Sequence, residues 1–221
     1  MNKTNFHDDS AQLLPYLAPD PRIIRRSLML NCLTTDWAEL WAAAWAETDL
    51  SETDAWLSDC PVLPQDAFSN LGLVWTPAMP LRSALARRQA LVELDVLVAR
   101  GLGLSLEELQ TMFRISFITL RKYDGGTWYD QNGRVVFTCQ NKAGGVPRKV
   151  WEAELLAHKD EPGYTYAHTE ADQAFSDAKT ARTTVYVAPF FTMDRERDYA
   201  IAWNRLQPDG TSDKLVCTKG Q

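Results

Sequence analysis

Long apolar runs are missing from this 221-residue chain, and so are closely spaced cysteines. No run approaches the roughly 20 apolar residues that cross a bilayer, and residues 1–10 are polar and acidic, unlike a signal peptide. We therefore expect a cytoplasmic protein that does not associate with a membrane. The cysteines, Cys32, Cys60, Cys139 and Cys217, fit neither a disulfide framework nor a zinc ribbon, and we expect reduced, buried thiols.

The motifs of common enzyme sites are also missing. No phosphate-binding Gly-x-x-x-x-Gly-Lys-Ser/Thr loop is present, and Gly101-Leu-Gly103 lacks the third glycine of a dinucleotide site, which favours a turn between helices. The histidines, His7, His158 and His168, have no metal-binding spacing, and there is no Gly-x-Ser-x-Gly elbow. We expect no cofactor, no metal and no catalytic site. The tripeptide Asp177-Ala-Lys179 leaves one alternative open, a partner-dependent nuclease.

The net charge of −6 disfavours a free-standing nucleic-acid binder, because such proteins neutralise phosphates with lysine and arginine. The charge is unevenly distributed along the chain. Residues 82–149 contain eleven Lys/Arg against six Asp/Glu, a local balance of +5, and the remaining residues carry −11. The sequence therefore predicts a basic middle between acidic ends.

Local signals predict an α+β fold that is predominantly helical, with a β-hairpin and short strands. Helix starts are indicated by Asp20-Pro21, by the capping-box pair Ser105 and Glu108, and by Asp194. Asn132-Gly133 predicts the hairpin turn, and residues 183–188 predict another strand.

Between these elements, residues 49–80 contain several prolines and are expected to form a wrapping connection, with one short helix capped by Ser51. Residues 161–181 are polar and are expected to be irregular. We expect 1–221 to form a single accessory domain. The alternative is a division into a helical N-terminal region, residues 1–80, and a second region, residues 81–221, with the helical hairpin, the β-hairpin and the last helix.

Three helices carry apolar stripes, which predict faces packed into the core. The stripes are Leu91, Leu94 and Val98 in a helix beginning near Leu81; Leu106, Leu109, Phe113 and Phe117 in a helix ending near Arg121; and Trp37, Leu40, Trp41, Ala44 and Trp45 in an earlier helix. For the tryptophan stripe the alternative is a base-stacking platform, which the neighbouring acidic residues disfavour.

Basic and aromatic residues interleave in the middle segment, a combination typical of surfaces that contact phosphates and base edges. The predicted DNA-binding residues are Arg87, Arg88, Arg114, Arg121, Lys122, Trp128, Tyr129, Arg134, Lys142, Arg148 and Lys149. The alternative is a solvated charged face with half-buried aromatics. The sequence also leaves open whether the hairpin enters a DNA groove or closes the core.

Several stretches, spread over most of the chain, resemble one family in their order. They are Pro21–Thr34 with Trp37–Trp41, Trp75–Pro77 with Pro80–Arg82, Ala90–Ala99 with Gly103–Leu109, Tyr129–Arg134, and Tyr186–Phe190 with Asp194, Tyr199 and Trp203. The chain resembles the region after the catalytic domain in large adenine-specific DNA methyltransferases of bacterial restriction-modification and phage-defence systems, including the phage-growth-limitation type.

The resemblance implies a region that helps to recognise the target sequence and to hold DNA while a catalytic domain flips out an adenine. The glycine-rich methyl-donor loop and the Asn-Pro-Pro-Tyr motif of that domain are missing, and no Pro-Pro dipeptide occurs. The leading hypothesis is therefore a non-catalytic subunit that acts in trans with a DNA methyltransferase or another phage-defence protein. In this hypothesis, DNA is contacted only within the complex. The alternative is an interaction or decoy protein that mimics the methyltransferase tail and never binds nucleic acid.

Overall fold

The computed structural model describes residues 20–50, 54–139, 144–171 and 181–206. The α-helices in these ranges are α1 (Pro21–Asn31), α2 (Ala38–Glu47), α3 (Ala84–Gly101), α4 (Leu106–Ser116), α5 (Ile118–Gly125), α6 (Arg148–Val150) and α7 (Arg195–Arg205). The strands are β1 (Thr127–Tyr129), β2 (Val135–Thr138), β3 (Thr165–Ala171), β4 (Ala181–Val187) and β5 (Phe191–Thr192). A 3₁₀ turn (Thr35–Trp37) precedes α2, and π and 3₁₀ turns (Trp151–Leu155, Leu156–His158) follow α6. The predicted α+β, predominantly helical fold is confirmed.

The three predicted helix starts are confirmed. Asp20 accepts a hydrogen bond from the amide of Arg22 at the start of α1. Ser105 and Glu108 form the reciprocal capping box of α4, and Asp194 accepts from two amides of α7. These side chains satisfy amide groups that a helix start leaves without partners, which is why their sequence signals predict helix boundaries well.

The described residues of the connection between α2 and α3, 48–50 and 54–83, contain no helix or strand. They show the predicted wrapping connection but not the predicted short helix, whose cap, Ser51, lies outside the described residues. Three tryptophan side chains form hydrogen bonds to the backbone in and beside this connection. Trp41, Trp56 and Trp75 donate to the backbone oxygens of Gly72, Pro64 and Cys32 at 2.7, 2.9 and 2.8 Å. The tryptophans thus combine apolar packing with satisfied polar groups.

The predicted tryptophan stripe is only partly in the core. Trp41 is fully buried and stacks on the partly buried Trp45, with ring centroids 5.8 Å apart. Trp37 and Leu40 are half exposed, so the prediction of a buried stripe is wrong for these two residues. Trp37 lies in the 3₁₀ turn before α2, where the tighter winding removes it from the α-helical register.

The predicted helix from Leu106 towards Arg121 is interrupted. α4 ends at Ser116, Phe117 adopts a non-helical conformation, and α5 begins at Ile118. Of the predicted stripe, Leu109 and Phe113 are buried, Leu106 is partly buried, and Phe117 at the break is half exposed.

The predicted hairpin is confirmed and is packed into the molecule. β1 and β2 are antiparallel, with Trp128 opposite Phe137, and β5 pairs with the other edge of β1. Gly133 takes a positive φ of 69° in the turn, where its carbonyl accepts a hydrogen bond of 3.0 Å from the amide of Leu85 in α3. The turn therefore lies against α3, which favours a role in closing the core over entry into a DNA groove.

A second sheet corrects one prediction. Residues 165–171, expected to be irregular, form β3 and pair antiparallel with β4, which confirms the strand predicted at 183–188. β3 has few apolar residues, and cross-strand polar pairs such as the hydroxyls of Thr169 and Thr183, 2.9 Å apart, take the place of the apolar alternation that sequence patterns detect. Asp177 and Lys179 lie outside the described residues.

Candidate functional site

Helix α3 contributes to two hydrophobic clusters. Leu85 and Ala90 pack in one cluster with residues of α1 and α2, and Val92 and Val96 pack in another with residues of α4 and α7. The helix therefore connects the N-terminal helices to the C-terminal helix.

The apolar stripe predicted for α3 is not buried in the core, although Leu94 packs partly against the first hydrophobic cluster. Leu91 is 49% exposed, and Leu94 and Val98 are only partly buried. The prediction that these residues form the buried face is wrong. The interior side instead carries Arg88 and Glu93, because each meets side chains of opposite charge there and so avoids the penalty of an unpaired buried charge.

A first ion network joins α1, the chain at residues 54–57, and α3. Arg26 donates to Glu93 at 2.6 Å and to Asp54 at 2.7 Å, Arg25 also pairs with Asp54, and the amide of Leu57 donates to the second oxygen of Glu93. Burial raises the pKa of Glu93. Burial acts in the same direction on Asp54, but hydrogen bonds from Arg26 and Arg25 outweigh it and lower its pKa. We interpret this network as a structural crosslink between three segments.

A second ion network joins α3, α5 and α7. Arg88 donates twice to Asp124, at 2.7 Å each, and once to Asp198 at 2.6 Å. Arg195 reaches Asp124 at 3.2 Å and Asp95 at 3.1 Å. Arg88 was predicted to contact DNA. That prediction is corrected, because the guanidinium is buried and donates to carboxylates of the protein.

An apolar groove of about 310 Å³ lies between α3 on one side and α4 with α5 on the other. Its lining residues are Leu94, Asp95, Val98, Ala99, Leu102, Leu104, Leu109, Met112, Phe113, Phe117, Leu120 and Tyr199. Two residues of the predicted stripe, Leu94 and Val98, therefore line an open groove. Concave apolar surfaces with few polar groups are typical of binding sites.

Further large apolar side chains are exposed on α4 and α5, the helices on one side of the groove. Ile115 and Ile118, on either side of the α4–α5 break, are 68% and 64% exposed. Leu102, Met112 and Leu120 are also exposed at the groove. Several large apolar residues so close together on a surface are typical of protein interaction sites.

The groove contains one carboxylate among its apolar lining residues, that of Asp95. Asp95 lines it with its side chain 44% exposed, and Oδ2 accepts hydrogen bonds from Tyr199 at 2.6 Å and from Arg195 at 3.1 Å. Burial raises the pKa of Asp95, and it raises the pKa of the Tyr199 hydroxyl as well, with the adjacent Asp95 charge acting in the same direction. This constellation can bind apolar groups and can hold a hydrogen-bond donor or a cation in a defined position.

Several predicted DNA-binding residues are engaged inside the protein. Tyr129 is buried in the core, so its prediction is corrected along with that of Arg88. Arg87 is partly buried and donates to the backbone oxygens of Leu30 and Leu81. Trp128 is partly buried and packs against Trp151. These side chains hold the fold together.

The other predicted cations that the structure describes are exposed, and some of them are paired. Arg114 forms an ion pair with Glu196, Arg134 donates to the oxygen of Val185, and Arg148 pairs with Glu152. Arg121, Lys122 and Lys149 are exposed, and Lys142 lies outside the described residues. The predicted DNA-binding residues are therefore divided between buried or partly buried positions and exposed positions.

Among the described residues, no group of three or more His, Cys, Asp or Glu side chains is placed to hold a metal ion. No described helix has the length and apolar character of a membrane span. The described cysteines are free thiols, buried at Cys32 and partly buried at Cys60 and Cys139. Cys217 lies outside the described residues. His158 meets Glu161 at 2.7 Å and stacks on Tyr164.

Sequence reasoning did not single out Asp95, Met112, Leu120 or Tyr199 as site residues. A signal was present, because Leu91, Leu94, Val98 and Leu102 repeat at helical spacing while the opposite side of α3 is also largely apolar. A helix that packs against the core through one side needs only that side to be apolar. A second apolar side indicates a further contact.

No protein-family model, no curated protein and no solved structure matches this chain.

Proposed function

We propose that this chain is a non-catalytic accessory subunit that binds a partner protein through the apolar groove between α3, α4 and α5. The observation that carries this proposal is that Leu94 and Val98 line the groove, with Leu91 half exposed, on a helix whose other side is already packed. Contact between exposed apolar side chains and water is unfavourable. Burial of these side chains under a partner is therefore favourable.

Covering the groove would contribute several kcal/mol. Leu102, Met112, Phe117 and Leu120 line it and are 39–50% exposed, and Leu91, Ile115 and Ile118 are exposed on α3, α4 and α5. Burial of one such side chain from full exposure contributes roughly 1.5–3 kcal/mol, so covering one that is already half buried contributes about half as much. Covering all of them therefore offsets the lower part of an association cost of about 4–15 kcal/mol.

A helix is the partner element that this shape favours. The groove is bordered by helices on both sides, and an amphipathic helix presents apolar residues at three- and four-residue spacing that fit between them. Helix-in-groove binding also leaves the partner's polar face in solvent. The proposed complex thus needs no rearrangement of the described core.

The resemblance to the post-catalytic region of adenine-specific DNA methyltransferases supplies the class of partner. We propose a cytoplasmic DNA methyltransferase or another phage-defence protein that carries the chemistry. A decoy that occupies the methyltransferase's docking surface would use the same groove, and only the effect on the partner's activity separates these two roles.

A second role, DNA contact within the complex, is supported by one further observation. Arg121 and Lys122 are exposed on α5, directly after Leu120, which lines the groove. A bound partner would therefore lie beside two cations that can reach phosphates. This placement is compatible with DNA held at the edge of a protein complex.

Affinity purification of the full chain from its native cells, with bound proteins identified by mass spectrometry, tests the proposal. Val98→Asp places a charge in the groove, and Val185→Asp places one at an exposed position on β4. We expect one protein that is retained by the wild type and by Val185→Asp but lost from Val98→Asp. Equal retention by all three would contradict the groove as the binding site, and a retained protein unrelated to DNA modification or phage defence would contradict the partner class.

A further inference from the structure

We propose that the segment bound in the groove is an amphipathic helix that carries one lysine or arginine, and that this cation pairs with Asp95. The inference rests on the proposed function, since it names the chemistry of the partner at the same groove. It adds a polar requirement to a site that is otherwise apolar.

The second ion network has an excess of negative charge. It contains three carboxylates, of Asp95, Asp124 and Asp198, but two guanidiniums, of Arg88 and Arg195. The network therefore holds one negative charge more than its own cations compensate. A cation supplied by a partner would balance it.

The geometry shows where that cation would bind. The side chains of Asp124 and Asp198 are enclosed, whereas the side chain of Asp95 opens into the groove. Among the described residues, both hydrogen bonds to Asp95, from Arg195 and Tyr199, end on Oδ2. Oδ1 remains as the acceptor for a group that enters the groove.

An entirely apolar occupant would be a poorer fit at this point. It would cover Asp95, remove water from the carboxylate, and offer no donor in return. The nearest cation, Arg195, is already shared between Asp95 and Asp124. A lysine or arginine in the occupant instead forms a charge-assisted hydrogen bond within an apolar surround, where such a bond is stronger than in water.

Helical peptides of 14 residues provide the probe. Each carries leucine at positions i, i+3, i+4 and i+7. One position beside the leucine stripe is lysine in the test peptide and norleucine in its matched control, and a set of peptides moves that position around the stripe. Norleucine keeps most of the aliphatic chain and removes the charge. Binding to the full chain is measured by fluorescence anisotropy, with Val98→Asp as the groove variant and Asp95→Asn as the charge variant.

We expect at least one lysine peptide to bind the wild type about 10- to 100-fold more tightly than its norleucine control, the range for a hydrogen bond to a charged group. Asp95→Asn should remove this preference while it still binds the norleucine peptides, which shows that the groove is intact. Val98→Asp should weaken binding of every peptide.

The contradicting results are distinct. If leucine-rich peptides bind the wild type but not Val98→Asp, and lysine and norleucine bind equally at every position, the cation inference fails and the groove proposal stands. If no peptide binds, both fail. If the chain alone forms a dimer in sedimentation that Val98→Asp abolishes, the occupant is a second copy, and the inference is overturned.

Discussion

The two sides of helix α3 show opposite relations between polarity and burial. The inner side places Arg88 and Glu93 in the interior, where ion pairs with other segments compensate them. The outer side leaves Leu91 half exposed, and Leu94 and Val98 line an open groove. Burial along this helix therefore depends on the availability of partners as well as on the hydrophobicity of each residue. A buried charge marks a partner within the chain, and we infer that an exposed apolar stripe marks a partner outside it.

The largest expected effect comes from removing a charge on the inner side. Glu93→Ala leaves Arg26 with one carboxylate partner fewer and leaves the amide of Leu57 without its acceptor. We expect the free energy of unfolding to fall by about 3–5 kcal/mol, the range for breaking a buried ion pair. Urea unfolding followed by circular dichroism measures the change.

The matched control is an exposed ion pair. Arg205 and Asp59 lie 2.6 Å apart with about half of each side chain in solvent. Asp59→Ala should lower the free energy of unfolding by at most about 1 kcal/mol. Similar losses for Glu93→Ala and Asp59→Ala would show that the inner network does not stabilise the fold.

Leucine-to-alanine substitutions on the two sides of α3 compare these sides without any change of charge. Leu85 is buried in the first hydrophobic cluster, and Leu91 is half exposed. Leu85→Ala should lower the free energy of unfolding by roughly 2–5 kcal/mol, since it leaves a cavity. Leu91→Ala should change it by about 0.5 kcal/mol or less. Equal effects in urea unfolding would mean that the outer stripe is packed in solution.

A charge in the groove should separate binding from stability. Val98→Asp puts a carboxylate on the partly buried outer side, near Asp95. We expect a loss in unfolding free energy of about 1 kcal/mol, and a loss of at least about 2 kcal/mol in partner affinity, as for a central interface residue. Calorimetric titration with the purified partner gives the affinity. Unchanged affinity would remove the groove from the interface.

The smallest effect concerns the exposed cations. The double variant Arg121→Glu and Lys122→Glu should leave urea unfolding unchanged, because both side chains are exposed. In the complex with the partner, DNA affinity should decrease, and the slope of log affinity against log salt should become shallower by roughly 2. DNA binding with an unaltered slope would show that these two residues do not contact phosphates, in line with the alternative in which the chain never binds nucleic acid.

Features with a local cause were predictable from the sequence. The caps at Asp20, Ser105 and Asp194 and the turn at Gly133 depend on hydrogen bonds or backbone angles within a few residues. The strand β3 was missed because its polar residues are ordered by pairing with β4, a partner that a local pattern does not contain.

Which apolar face of α3 stays open as a groove was not predictable for the same reason. The spacing of Leu91, Leu94 and Val98 identified an apolar face correctly, but which face of a helix is covered depends on distant segments. Arg88 was predicted to contact DNA because basic and aromatic residues interleave in the middle segment. Asp124 and Asp198, which hold it inside, are far away in the sequence. Long-range ion pairs of this kind leave no periodic signal.

Site-specific photocrosslinking tests the central claim most directly. A benzoylphenylalanine at Met112, in the groove, is compared in native cells with one at Val185, an exposed position on β4. The account predicts one discrete crosslinked product from position 112, which disappears when Val98→Asp is added, and no such product from position 185. No product from position 112, or a product that persists with Val98→Asp, would contradict the claim that the outer side of α3 binds a partner.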